Sequence, residues 1–153
     1  MKNKLDIIKI INSILNFLNK GFDFKTSLEM TCKDLKLNKE QTEIIKKETL
    51  NEGVKSLIIQ INYIINQKMS QGKPRNFLNF RVNEKVKYLI LKRLRIIDNL
   101  FDKKLIFNIA FKQKLPFGLS RMLFNISDEI WHISGDTSTD FNYYSKRIIL
   151  MNV

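Results

Sequence analysis

The chain has 153 residues, 44% of them hydrophobic and 27% charged, which suits one domain with an apolar core and excludes a disordered or membrane-integral chain. One cysteine (Cys32) and one histidine (His132) exclude an internal disulfide framework and a histidine-rich metal site within one chain. The formal net charge of +12 invites a polyanion, either nucleic acid or an anionic membrane surface, although heavy use of Ile, Asn and Lys is also what an AT-rich genome imposes. Met1 to Lys9 lacks a signal-peptide pattern and, being Lys-rich with Asp6, makes a poor transit peptide. No apolar run reaches the roughly 18 residues of a spanning helix.

Helical spacing dominates from the start. Leu5, Ile8, Ile11, Leu15 and Leu18 recur at three and four, the mark of a one-faced helix, and Gly21 is a plausible stop. Thr26 or Ser27 is predicted to cap a second, short helix through Leu35. Asn38, with Gln41 three residues on, caps a third. Residues 1–48 therefore form a helix-turn-helix-like unit. Residues 49–153 form a larger bundle, and the two make one structural domain. In the bundle, Val54, Leu57, Ile58, Ile61, Ile64 and Ile65 line one stripe, and Gly72-Lys73-Pro74 breaks the chain. Val82, Val86, Leu89, Ile90, Leu94 and Ile97 line the next. Leu105, Ile106, Ile109 and Ala110 suggest a shorter element ending near Pro116. Leu119, Met122, Leu123, Ile126, Ile130 and Ile133 follow, stopped by Gly135-Asp136. Ser138, Thr139 or Asp140 can cap a last helix. No segment alternates with period two, so the class is all-α.

Three short helices can read DNA by placing the third, here Lys39 to Lys47, in the major groove. Glu40, Glu43 and Glu48 would oppose phosphate there, which weighs against nucleic acid. The basic run Lys85, Lys87, Lys92, Arg93 and Arg95 could rest on anionic lipid, or be an ordinary solvated face. Catalytic constellations are absent: no nucleophile is placed with His132 by any motif, Cys32 reads as a core thiol, and there is no Gly-rich phosphate loop. Glu129 and His132 have the spacing of half a di-iron motif, but no second histidine exists. No enzyme activity, metal or cofactor is expected.

The most informative stretch is Ser127 to Arg147, S-D-E-I-W-H-I-S-G-D-T-S-T-D-F-N-Y-Y-S-K-R. An acidic pair precedes Trp131. Gly135, Asp136, Ser138, Thr139, Asp140, Phe141, Asn142, Tyr144 and Arg147 follow in close order. This run resembles the hallmark of the ninth Coq protein family, the ubiquinone-biosynthesis accessory proteins of mitochondria and α-proteobacteria. A weaker likeness extends upstream through Arg81 to Pro116. The same run also has a plain structural reading: a well-capped corner with Trp131 and Phe141 in the core. That reading explains Tyr143 and Tyr144 less well, because neighbouring residues on a helix cannot both face one core.

The resemblance implies a TetR-like fold whose helix-turn-helix-like N-terminus does not act as a regulator. It implies an apolar cavity for an isoprenoid quinone precursor or phospholipid, with Phe107, Phe111, Phe117, Met122, Leu123 and Phe124 as candidate wall residues. It implies presentation of that precursor to the di-iron demethoxyubiquinone hydroxylase through a patch at Ile130, Tyr143 and Tyr144. Trp is the usual residue at Tyr143, so the patch is smaller here. Location would be peripheral to the inner membrane in a bacterial cytoplasm, or on the matrix side in a mitochondrion. Further helices of the family, which complete the cavity, a homodimer contact and a membrane-binding segment, would lie beyond Val153. Their loss should uncover the stripes Leu119 to Ile133 and Phe141 to Met151, lower stability, and favour association or contact with an anionic bilayer. The rival readings are a TetR-like DNA-binding regulator and an inactive fragment of a split gene.

Overall fold

A computed structural model describes residues 6–112 and 116–152, with the backbone alone at 48, 49, 107, 110–112 and 116–119. It contains α1 (Ile7–Asn19), α2 (Phe24–Asp34), α3 (Lys39–Ile44), α4 (Val54–Ser70), α5 (Val82–Leu100), α6 (Lys103–Lys112), α7 (Pro116–Ser134) and α8 (Asp140–Met151). A π-helical turn (Ile45–Thr49) follows α3, and a 3-10 turn (Phe77–Asn79) precedes α5. No strand occurs among the described residues. The all-α class is as expected, and three short helices open the chain. Two compact units emerge, Met1–Ile65 with Ile97–Lys112, and Asn66–Ile96 with Gln113–Val153. Their limits fall within α4 and α5.

The first unit is built on α1, which buries Ile10, Ile11, Ile14, Leu15 and Leu18 and packs on α2 and α6. Each such side chain contributes roughly 1.5–3 kcal/mol when fully buried. Asp6 caps α1 by accepting from the Lys9 amide at 3.3 Å. Gly21 ends it at φ +97°, in the left-handed region where a side chain would be strained. The cap of α2 is Asp23, not Thr26 or Ser27: its carboxylate accepts from the Thr26 amide at 3.1 Å and the Thr26 hydroxyl at 2.5 Å. Ser27 is instead buried on the core face, within the helix. An acidic cap also complements the positive end of the helix dipole, which a hydroxyl does less well. Cys32 is buried. The expected capping box of α3 is present, with Gln41 N to Asn38 Oδ1 at 2.8 Å and Asn38 N to Gln41 Oε1 at 3.1 Å. Beyond it, Lys47 pairs with Glu43 at 2.7 Å, which reduces the positive charge this segment could offer to phosphate.

In the second unit, Met69, Phe77, Val86, Leu89 and Ile130 are buried. The stripe predicted for α5 is only half realised. Val82 and Leu94 are exposed, and the buried face is Val86, Leu89 and Arg93. Arg93 therefore leaves the basic surface run. Its Nη1 donates to Asn66 Oδ1 at 2.7 Å, and burial pulls its guanidinium down to about 10 against the attraction of Glu129. Lys92 also turns from the surface: its ammonium donates to the carbonyls of Met69 and Gln71 at the end of α4. Met69 lies in the last turn of α4, where carbonyls lack a helical partner, and Gln71 follows it, so the lysine serves as a remote cap.

Candidate functional site

The hallmark run folds into a helix–turn–helix corner in which α7 packs on α8. Gly135 terminates α7 at φ +87°, with its amide on the His132 carbonyl and the Asp136 amide on that of Trp131, both at 3.0 Å. This closure satisfies carbonyls that the helix end would otherwise leave open. It also turns the Asp136 carboxylate toward α8. There Asp136 accepts from Lys146 Nζ at 2.7 Å, Arg147 Nη1 at 3.1 Å and the Ser138 hydroxyl at 2.6 Å. Arg147 extends the network: its Nε donates to Asp128 Oδ1 at 2.6 Å and its Nη1 to the Tyr143 carbonyl at 3.0 Å. The Tyr143 hydroxyl donates to the same Asp128 oxygen at 2.9 Å, and the Arg147 guanidinium lies 3.5 Å from the Tyr143 ring centre. Trp131 donates its indole N–H to the Lys146 carbonyl at 3.2 Å, while the Lys146 ammonium stands 5.3 Å from the indole.

The side chains of Arg147 and Asp136 are each only 4% exposed, so the pair lies where a missing partner costs most. Burial pushes the Asp136 carboxyl up, but hydrogen bonds from Lys146, Ser138 and Arg147 outweigh it and hold the group far below the usual carboxylate range. Asp128 is lowered in the same way, burial being overcome by Arg147 and Tyr143. The bond to Asp128, with some burial, raises the Tyr143 phenol. Burial pulls the Arg147 guanidinium down, and the two carboxylates more than compensate.

The spacing explains which residues meet. On α8, Tyr143, Lys146 and Arg147 stand three and four apart and form one face, the one that meets Asp128, Trp131 and Asp136. Phe141, Tyr144 and Ile148 form another, and it is bare: Phe141 is 82% and Tyr144 58% exposed. Phe141 is thus outside the core, while Trp131 is half-buried. The predicted side-chain caps of α8 are not formed. Thr139 occupies the cap position without a capping bond, Ser138 is taken by Asp136, and Asp140 opens the helix at φ +58°. Asp is among the few residues that tolerate that region. Asn142 is exposed.

Of the expected partner patch, Tyr143 is half-buried, Tyr144 is on the surface, and Ile130 is 3% exposed and so a core residue. Of the expected cavity wall, Met122, Leu123 and Phe124 are half-buried on α7, and Phe124 meets Tyr143 at 6.4 Å between ring centres. The side chains of Phe107, Phe111 and Phe117 lie outside the described residues. The stripe Leu119 to Ile133 is not bare: Met122, Leu123, Ile126 and Ile133 are half-buried, Ile130 is buried, and the Leu119 side chain is outside the described set.

A groove of about 430 Å³ lies elsewhere, between α5 (Asn83, Val86, Lys87, Ile90, Leu91), α7 (Trp131) and α8 (Lys146, Ile149, Leu150). Of the expected wall residues whose side chains are described, Met122, Leu123 and Phe124 do not line it. Its sequence signal was the doubled apolar pairs Ile90-Leu91 and Ile149-Leu150, which widen a helix stripe beyond what one core contact covers. Among the described residues no helix is long and apolar enough to cross a membrane, and no group of three or more His, Cys, Asp or Glu could hold a metal ion.

Fold and site together define an all-helical bundle protein whose distinctive part is the ion-paired, aromatic corner of α7 and α8. That part is similar to the COQ9 family, which matches residues 118–153. A curated rat (Rattus norvegicus) relative, "Ubiquinone biosynthesis protein COQ9, mitochondrial", is 44% identical over 45 residues, 29% of this chain. The match spans only 14% of the rat protein's own length. No solved structure matches the chain. The family found is the one that the run from Ser127 to Arg147 indicated.

Proposed function

We propose that this chain is a non-catalytic, lipid-binding accessory protein of ubiquinone biosynthesis, which holds the isoprenoid quinone precursor and presents it to the di-iron demethoxyubiquinone hydroxylase. The observation that carries this reading is the COQ9-type corner, with an apolar groove against one part of α8 and bare aromatics on another. A polyprenyl chain leaves a bilayer only for an equally apolar site, since each buried methylene is worth roughly 0.8 kcal/mol. A groove of about 430 Å³ falls within the usual range of small-ligand sites and takes part of such a chain. Lys87 at its edge suits a phospholipid headgroup or an anionic membrane surface. The protein would then work at the inner membrane, on the cytoplasmic side in a bacterium or the matrix side in a mitochondrion, where the bare face Phe141, Tyr144 and Ile148 meets the hydroxylase or a second copy.

Mass spectrometry of lipid extracted from natively purified protein tests the reading, beside flotation with anionic and neutral liposomes. Co-purifying isoprenoid or phospholipid, lost when Ile90 and Leu150 are changed to Asp, is the expected result. Lipid-free protein that ignores both kinds of liposome would overturn it.

A further inference from the structure

Tyr143 and Tyr144 are adjacent, but their surroundings differ. Tyr143 is half-buried and engaged on several sides. Its hydroxyl is on Asp128 at 2.9 Å, one ring face is under Arg147 at 3.5 Å, and Phe124 stands 6.4 Å from it. The remaining contact is with Tyr144, edge to face at 5.1 Å and 83°. Arg147 is itself fixed by Asp136, so the support beneath Tyr143 does not yield. Tyr144 projects outward about 100° further round the helix, and among the described residues Tyr143 is its ring neighbour.

We propose that Tyr143 is a positioning residue rather than a contact: Asp128 and Arg147 hold its ring, and its ring fixes the outward pose of Tyr144. The inference rests on the partner reading above, and it separates two tyrosines that the resemblance treats alike. To turn its ring outward as an anchor, Tyr143 would have to leave both its hydrogen bond and the guanidinium. Tyr144 needs no rearrangement, and a ring already held in its docking pose loses less freedom on association.

The test combines isothermal titration of the whole chain with purified demethoxyubiquinone hydroxylase and NMR of its ¹³C-labelled tyrosine rings in the free state. Y144A should weaken binding by about tenfold or more, as a central aromatic contact does. Y143F removes only the hydroxyl and should weaken it roughly two- to tenfold, the ordinary worth of one hydrogen bond. D128N should do at least as much, and the D128N/Y143F double variant should bind no more weakly than D128N alone. The Tyr144 ring signals should shift in both single variants. Full affinity in D128N, or additive losses in the double variant, would mean that Tyr143 touches the partner itself and would overturn the proposal. If the unaltered chain does not bind the hydroxylase, the partner reading fails. The ring signals then judge the positioning alone, and unchanged Tyr144 signals in Y143F overturn it. Should D128N fail to fold, Y143F, which keeps the ring and the Arg147 ion pairs, decides.

Discussion

Arg147→Ala removes the centre of the α7–α8 corner, and its cost can be worked from the geometry. Two carboxylates lose a partner. Asp128 has a 42% exposed side chain, so water replaces much of what it loses, and its share is roughly 0.2–1 kcal/mol. Asp136 is only 4% exposed, and breaking a pair at that depth costs roughly 3–5 kcal/mol, because a charge stays behind without solvent. Asp136 keeps Lys146 at 2.7 Å and the Ser138 hydroxyl at 2.6 Å, which places the total at the lower end, about 3 kcal/mol. Domains are stable by only about 5–15 kcal/mol, so this is a large fraction. Trp131 is the single tryptophan and its indole is bonded to the Lys146 carbonyl, so its fluorescence reports this helix pair directly. In a urea titration, with slopes of roughly 1–3 kcal/mol/M, the midpoint should fall by about 1 M or more. R147K keeps the charge but loses the fork and should lie between. D136A and R147A should be non-additive by about 1–3 kcal/mol. A shift in R147A equivalent to less than about 0.5 kcal/mol, or simple additivity with D136A, would refute this account of the corner.

Acid gives an independent check. The folded-state value of Asp136 lies below its ordinary 3.8, so the unfolded chain binds the extra proton and the stability it contributes is intact above about pH 4. It drains as pH falls further, at up to ~1.4 kcal/mol per pH unit, and in D136N that part of the slope should vanish from the Trp131 transition. Gly135→Ala should cost roughly 1–2 kcal/mol by thermal melting, from backbone strain at φ +87° alone, because nothing lies within 4 Å of the added Cβ. Gly135→Asn should cost less. Asp23→Ala should remove the cap of α2 and destabilise the helix, seen as a lower melting midpoint by circular dichroism.

Signals confined to one or two turns were legible in the chain itself. The recurrence of Ile and Leu at three and four placed the helices, the Asn38–Gln41 pair placed the start of α3, and Gly21 and Gly135 placed two stops. The run from Ser127 to Arg147 was sufficient to indicate the family. Caps chosen among neighbouring candidates were less secure. Asp23 took the place predicted for Thr26 or Ser27, and Thr139 sits at its cap position without making the bond.

The fate of the charged residues could not be read from spacing. Arg93 and Arg147 stand on their helices like any surface base, yet both are buried, because Asn66 meets one and Asp128 and Asp136 meet the other from elements 11 to 27 residues away. Burying a guanidinium is unfavourable until such a partner arrives, and only the tertiary fold brings it. The same holds for the aromatics. Periodicity required Tyr143 and Tyr144 to diverge, but it is the Asp128–Arg147 pair that turns Tyr143 inward and leaves Tyr144 outside. Chain pattern determined the helices and their ends. Packing between helices decided which polar side chains could be buried, and with them which face of α8 remained open.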